Sequence, residues 1–90
     1  MMSEEEVNAL FNEYRKTKDV LVRNKLVENY FYIAEILAKK FSGRGVEYDD
    51  LLQVASEALI SGVEKFDPCL GNRFTTYITP TITGSLTNYF

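Results

Sequence analysis

The sequence has no histidine, no tryptophan, one cysteine (Cys69) and two prolines in 90 residues. Without histidine, and with a single thiol, the usual nitrogen and sulfur ligands of a zinc site cannot be assembled. One cysteine also excludes an internal disulfide, which fits a reducing compartment, the cytoplasm. No apolar run nears the roughly 20 residues of a membrane-spanning helix. Met1 to Glu6 turns at once to acids, against the basic-then-apolar order of a secretion signal. The chain has no phosphate-binding glycine loop and no nucleophile–base pair, so neither an enzyme nor a cofactor is expected.

Charge is scarce in one particular place. From Phe66 to Phe90 there is one cation, Arg73, and one acid, Asp67. The formal net charge of the whole chain is −3, whereas a free-standing nucleic-acid binder usually carries a basic face. The cations fall mainly into two groups, Arg15, Lys16, Lys18, Arg23 and Lys25, then Lys39, Lys40 and Arg44. The acids are spread out, with a local run at Glu47, Asp49 and Asp50.

What is present is a globular composition, 46% hydrophobic and 26% charged, in a length that makes one small domain of marginal stability. Ser3 ahead of Glu4, Glu5 and Glu6 marks a helix start. Val7, Leu10, Phe11 and Tyr14 then repeat at three and four, and this first helix is expected to end near Thr17. Asp19 caps a second helix over 20–41, with a stripe of Leu26, Val27, Tyr30, Ile33, Ala34, Leu37, Ala38 and Phe41. Phe31 and Ile36 fall off that stripe. Gly43 and Gly45 end the helix. A third helix is expected over 48–66, with Asp49 and Asp50 in its first turn. Leu51, Leu52, Ala55, Leu59, Gly62, Val63 and Phe66 form its buried side, and Asp67-Pro68 stops it.

The fourth segment is ambiguous. FTTYITPTIT is rich in Thr, Ile, Tyr and Phe, which on propensity leans to strand, and Pro80 opposes a helix interior. The helical alternative has Thr75 as its cap and a kink at Pro80.

The third helix has a second face, of Asp50, Gln53, Glu57, Ser61 and Glu64, with Val54 and Ile60 at its margins. Such a face is either simply solvated or suited to a basic helical partner. GRGVEYDDLLQVASEALISGVEKFDP, with FTTYITPTITG after it, resembles region 2 of bacterial RNA polymerase sigma factors of the sporulation and general-stress type. G-R-G, D-L-L-Q, K-F-D-P, F-T-T-Y and T-P-T-I stand in the family's order and spacing, and the likeness covers roughly Leu26 to Gly84.

The resemblance implies an all-α bundle of about four helices. Residues 1–18 would form the preceding helix, 20–66 the polymerase-binding helices and 73–90 the melting segment. It implies docking of Asp49, Asp50, Gln53, Val54, Glu57 and Ile60 on the clamp helices of the largest polymerase subunit. It also implies contact of promoter DNA with Arg73, Phe74, Thr76, Tyr77 and Thr87, Tyr77 stacking on a flipped base of the minus-ten element. An anti-sigma factor or a second sigma subunit is a further implied partner; a membrane is not.

The departures from the family pattern point the other way. Glu57 puts a charge at a site that is apolar in the family. Ile78 replaces the alanine that follows the tyrosine, a bulkier neighbour for a base pocket. Thr87 and Asn88 stand where the family has basic residues. DNA binding by the isolated chain is therefore expected to be weak. Sigma factors also carry a helix-turn-helix that these residues do not supply. The chain is thus expected to be an excised domain or a small region-2-like protein acting beside a partner, and an end at Phe90 leans to the first.

Overall fold

The computed structural model describes residues 1–90. Its regular structure is four α-helices and one 3-10 turn: α1 (Glu4–Thr17), α2 (Val20–Phe41), α3 (Tyr48–Lys65), the turn Pro68–Leu70, and α4 (Phe74–Tyr89). The all-α bundle implied by the resemblance is the architecture the chain adopts.

The helix limits follow from local chemistry. Ser3 Oγ accepts from the Glu6 amide at 3.2 Å, and Glu6 Oε1 accepts from the Ser3 amide at 3.3 Å. This reciprocal pair satisfies two amides that the first turn of α1 leaves free. Asp19 Oδ1 accepts from the Leu21 amide at 2.9 Å and starts α2. Asp67 Oδ1 accepts from the Cys69 amide at 2.9 Å, so the acid that follows α3 also caps the 3-10 turn. Gly43 and Gly45, at φ 88° and 89°, take the chain from α2 to α3 through backbone that other residues enter only at a cost.

The core is centred on four aromatic rings, one from each region of the bundle. Phe11 of α1 lies 4.8 Å from Phe66, which follows α3, and 5.2 Å from Phe74 of α4, measured between ring centroids. Phe66 meets Phe74 edge-on at 5.3 Å, and Tyr30 of α2 lies 4.5 Å from Phe74. Offset and edge-on geometries such as these add to the area the rings bury. Leu26, Ala34, Leu51, Ala55 and Leu59 close the α2–α3 seam with no solvent exposure.

In α4 the helical alternative holds over the strand that propensity favours. Phe74, Ile78, Ile82 and Leu86 recur every fourth residue and are 3%, 0%, 0% and 0% exposed. Burying each is worth about 1.5–3 kcal/mol, against a helix penalty of about 0.5 kcal/mol for each Thr or Ile. The cap differs from expectation. Arg73, not Thr75, is the N-cap, and its side chain makes no capping hydrogen bond. Thr75 lies inside the first turn because Phe74 must enter the helix to reach the aromatic core. Pro80 sits within the continuous helix and cannot donate to the Thr76 carbonyl. On either side of it, Thr79 Oγ1 donates to the Thr75 carbonyl and Thr81 Oγ1 to the Tyr77 carbonyl, both at 2.9 Å.

Candidate functional site

The sequence pattern placed two faces of interest on α3 and α4. On α3, Leu51, Ala55, Ala58, Leu59, Gly62 and Val63 point into the bundle. Asp49, Asp50, Gln53 and Glu57 are exposed, and Val54, Ile60 and Ser61 are half-buried beside them. Asp50, Gln53, Val54 and Glu57 follow one another at steps of three, one and three, so they share the side of α3 opposite its buried stripe. Asp49 and Ile60 lie at one margin of that side. Asp49 and Asp50 occupy the first turn, where the helix dipole favours negative charge. Ser56 Oγ donates back to the Leu52 carbonyl at 2.7 Å and takes no part in the face.

Glu64, placed at the far end of this face by its spacing, is engaged elsewhere. Arg23 Nη1 of α2 donates to Glu64 Oε2 at 3.0 Å. The unpaired acidic surface of α3 is therefore Asp49, Asp50 and Glu57.

A shallow groove on α2 is lined by Asn24, Val27, Glu28, Phe31, Tyr32 and Glu35. These residues were not singled out as functional from the sequence. The available signal was that Phe31 falls off the buried stripe of its own helix.

On α4, Thr76, Pro80, Gly84 and Thr87 are exposed and recur at three and four, on the side away from Phe74, Ile78, Ile82 and Leu86. No charged side chain lies between Phe74 and Phe90. Arg73 is exposed at the start of the helix.

Tyr77 is half-buried at the edge of this open side. Its ring lies 5.5 Å from Phe66 and 6.1 Å from Phe74.

One expectation needs correcting here. Phe74 is 3% exposed and packed among Phe11, Tyr30 and Phe66, so its ring is a core side chain and is not offered to a base. Ile78, the chain neighbour of Tyr77, faces inward. It is fully buried and fills the space beside Gly62 of α3.

At the other end of the molecule Phe41 stacks on Phe90 at 6.2 Å, with the Arg44 guanidinium 5.6 Å from the Phe41 ring. No group of acids, cysteine or histidine is arranged to hold a metal ion. No helix is long and apolar enough to cross a membrane.

The sigma-70 region 2 pattern matches residues 32–90, which takes in the end of α2, all of α3 and all of α4. The chain belongs to the sigma-70 region 2 family. It is 30% identical to the RNA polymerase sigma-B factor of Bacillus subtilis over 98% of this chain and 34% of that protein. It is 37% identical to the RNA polymerase sigma factor SigF of Mycobacterium tuberculosis over 76% of this chain and 26% of that protein. Similarity to the RNA polymerase sigma-G factor of Bacillus subtilis is 30% over 99% of this chain and 34% of the relative. The chain thus spans about a third of the length of these relatives. The family read from the motifs is the family these comparisons show.

Proposed function

We propose that this chain is a transcription-initiation module. It docks on core RNA polymerase through the outward side of α3 and contributes to recognition and melting of the promoter minus-ten element through α4. The observation that carries this reading is the display of Asp50, Gln53 and Glu57 in solvent opposite the buried stripe of α3. It sits in a family whose matching relatives are named as RNA polymerase sigma factors.

The partner this face fits is a basic amphipathic helix, as the clamp helices of the largest polymerase subunit would supply. Asp49, Asp50 and Glu57 set its charge preference and rate of encounter, while Gln53 and Val54, with Ile60 at the margin, provide the less charged part where affinity concentrates.

On α4, Tyr77 is the base-stacking residue. Stacking contributes about 1–3 kcal/mol per base and offsets part of the few kcal/mol that unpairing costs. Arg73, Thr76 and Thr87 border the same strand path. Each phosphate neutralised adds roughly 0.9 to the salt slope of duplex binding. With Arg73 as the one cation of this segment, α4 holds bases and leaves phosphates to Lys39, Lys40, Arg44, Lys65 or to the polymerase.

A second reading is favoured by the uncharged open side of α4. In it the chain is an interaction subunit that binds polymerase, an anti-sigma factor or a second sigma subunit, with little DNA binding of its own.

Titration of single-stranded minus-ten DNA onto the chain bound to core polymerase separates the two. On the first reading Tyr77→Ala loses affinity about tenfold, the equivalent of 1.4 kcal/mol. Equal affinity of the two proteins removes the stacking role and leaves the interaction subunit.

A further inference from the structure

Gly62 stands in the interior of α3, where glycine is disfavoured against alanine. Its φ is ordinary for a helix, so backbone conformation does not require it. Packing does. A Cβ built at Gly62 would overlap Ile78 Cδ1, and Ile78 Cγ1 lies 3.7 Å from the same point. Ile78 is wholly buried, so its side chain has no solvent to retreat into.

The adjacent residue in the chain is Tyr77, and its Cε2 lies 3.6 Å from that Cβ position, an ordinary contact distance. The Tyr77 ring is therefore held from two sides, by the surface of α3 at Gly62 and by Phe66 at 5.5 Å. Of the groups around Gly62, the half-exposed Tyr77 ring is the one with room to move.

We propose that Gly62 is a positioning residue for Tyr77: by leaving room for Ile78, it seats the first turns of α4 against α3 and fixes where the Tyr77 ring stands. The functional consequence rests on the reading of Tyr77 as the base-stacking residue; the positioning itself does not.

A methyl group at residue 62 forces Ile78 outward, lifts the start of α4 and turns Tyr77 away from Phe66. Shortening residue 78 removes the overlapping atom and lets α4 return. Gly62 and Ile78 thus act as one unit, a missing Cβ matched to an added Cδ1.

The test uses the full chain in four forms: wild type, Gly62→Ala, Ile78→Val and Gly62→Ala/Ile78→Val. The first readout is the NMR shifts of the Tyr77 ring protons, which the Phe66 and Phe74 rings displace. The second is affinity for a single-stranded minus-ten oligonucleotide in the presence of core polymerase. Expected are moved Tyr77 resonances and about tenfold weaker binding for Gly62→Ala. Both return to near wild type in the double variant.

A merely structural role predicts lower stability with Tyr77 resonances in place, and that result overturns the proposal. So does a double variant that recovers stability without recovering the resonances. If Gly62→Ala does not fold, the double variant decides: folding with wild-type Tyr77 shifts supports the pairing, and failure to fold contradicts it. A Tyr77→Ala variant that binds the oligonucleotide as wild type does overturns the stacking reading, while the ring shifts still report on positioning.

Discussion

Arg23 and Glu64 tie the first turn of α2 to the last turn of α3, with guanidinium Nη1 donating to the carboxylate at 3.0 Å. The pair takes Glu64 out of the acidic surface of α3 and leaves Glu57 as the last unpaired acid on that side. Both partners remain partly exposed, so the bridge is worth less than about 1 kcal/mol. Glu64→Gln is expected to lower stability by no more than that and to leave polymerase affinity within about twofold, since only a neutralised charge is removed. Glu57→Lys should instead weaken polymerase binding by about tenfold with unchanged stability. Chemical denaturation and polymerase titration of the two variants check this contrast.

Phe74 is expected to behave as a core residue. Phe74→Ala removes a ring that touches Phe11, Tyr30 and Phe66 and should cost about 3–5 kcal/mol, a large share of the total for a domain of this size. Thr76→Ala, two residues on and exposed, should change stability by less than about 0.5 kcal/mol. Urea unfolding followed by circular dichroism distinguishes these outcomes. A mild effect of Phe74→Ala would contradict the placement of its ring.

Pro80 interrupts the hydrogen-bond ladder of α4 on the exposed side. Pro80→Ala restores a donor for the Thr76 carbonyl and is expected to raise stability. A helix-interior proline costs about 3 kcal/mol, and the entropy the substitution returns to the unfolded chain takes back up to about 1 kcal/mol. The net gain should be about 2 kcal/mol, visible as a higher melting temperature.

Tyr30 makes stability fall at high pH. Burial, with the carboxylate of Glu4 adding to it, pushes the phenol from 10.0 up to about 12. The folded state therefore favours the neutral phenol. This contribution is fully present below pH 10, where the phenol is neutral in both states. It is lost as pH rises from 10 through 12, because the unfolded chain releases its proton first. The loss amounts to about 3 kcal/mol at 1.36 kcal/mol per pH unit. Tyr30→Phe should lack this component, so the stability difference between the two proteins narrows or reverses across that interval. Parallel denaturation series at pH 9 and 12 measure it.

Three of the four helices were legible because their ends are written in side chains that act locally. Ser3 with Glu6, Asp19, the glycines at 43 and 45, and Asp67-Pro68 each do in the fold what their chemistry suggests. The fourth helix was not legible from propensity, because Thr and Ile score as strand formers and Pro80 opposes a helix. Only the family resemblance pointed to helix there; the recurrence of Phe74, Ile78, Ile82 and Leu86 at every fourth residue, whose burial outweighs propensity in the fold, was also present in the sequence.

The outward side of α3 could be read because helical spacing alone separates it from the buried stripe. The roles of Phe74, Ile78 and Glu64 could not. Each depends on a partner distant in sequence: the aromatic core for Phe74, Gly62 for Ile78 and Arg23 for Glu64.

The most direct measurement is the affinity of the chain for core RNA polymerase, compared between wild type and Asp50→Ala/Gln53→Ala. Both residues are exposed on the far side of α3, so the double variant should keep its fold and melting temperature. If α3 is the docking face, the wild type binds saturably and the variant at least about thirtyfold more weakly, the equivalent of 2 kcal/mol. A wild-type chain that does not bind core polymerase, or a folded double variant that binds as tightly, would contradict it.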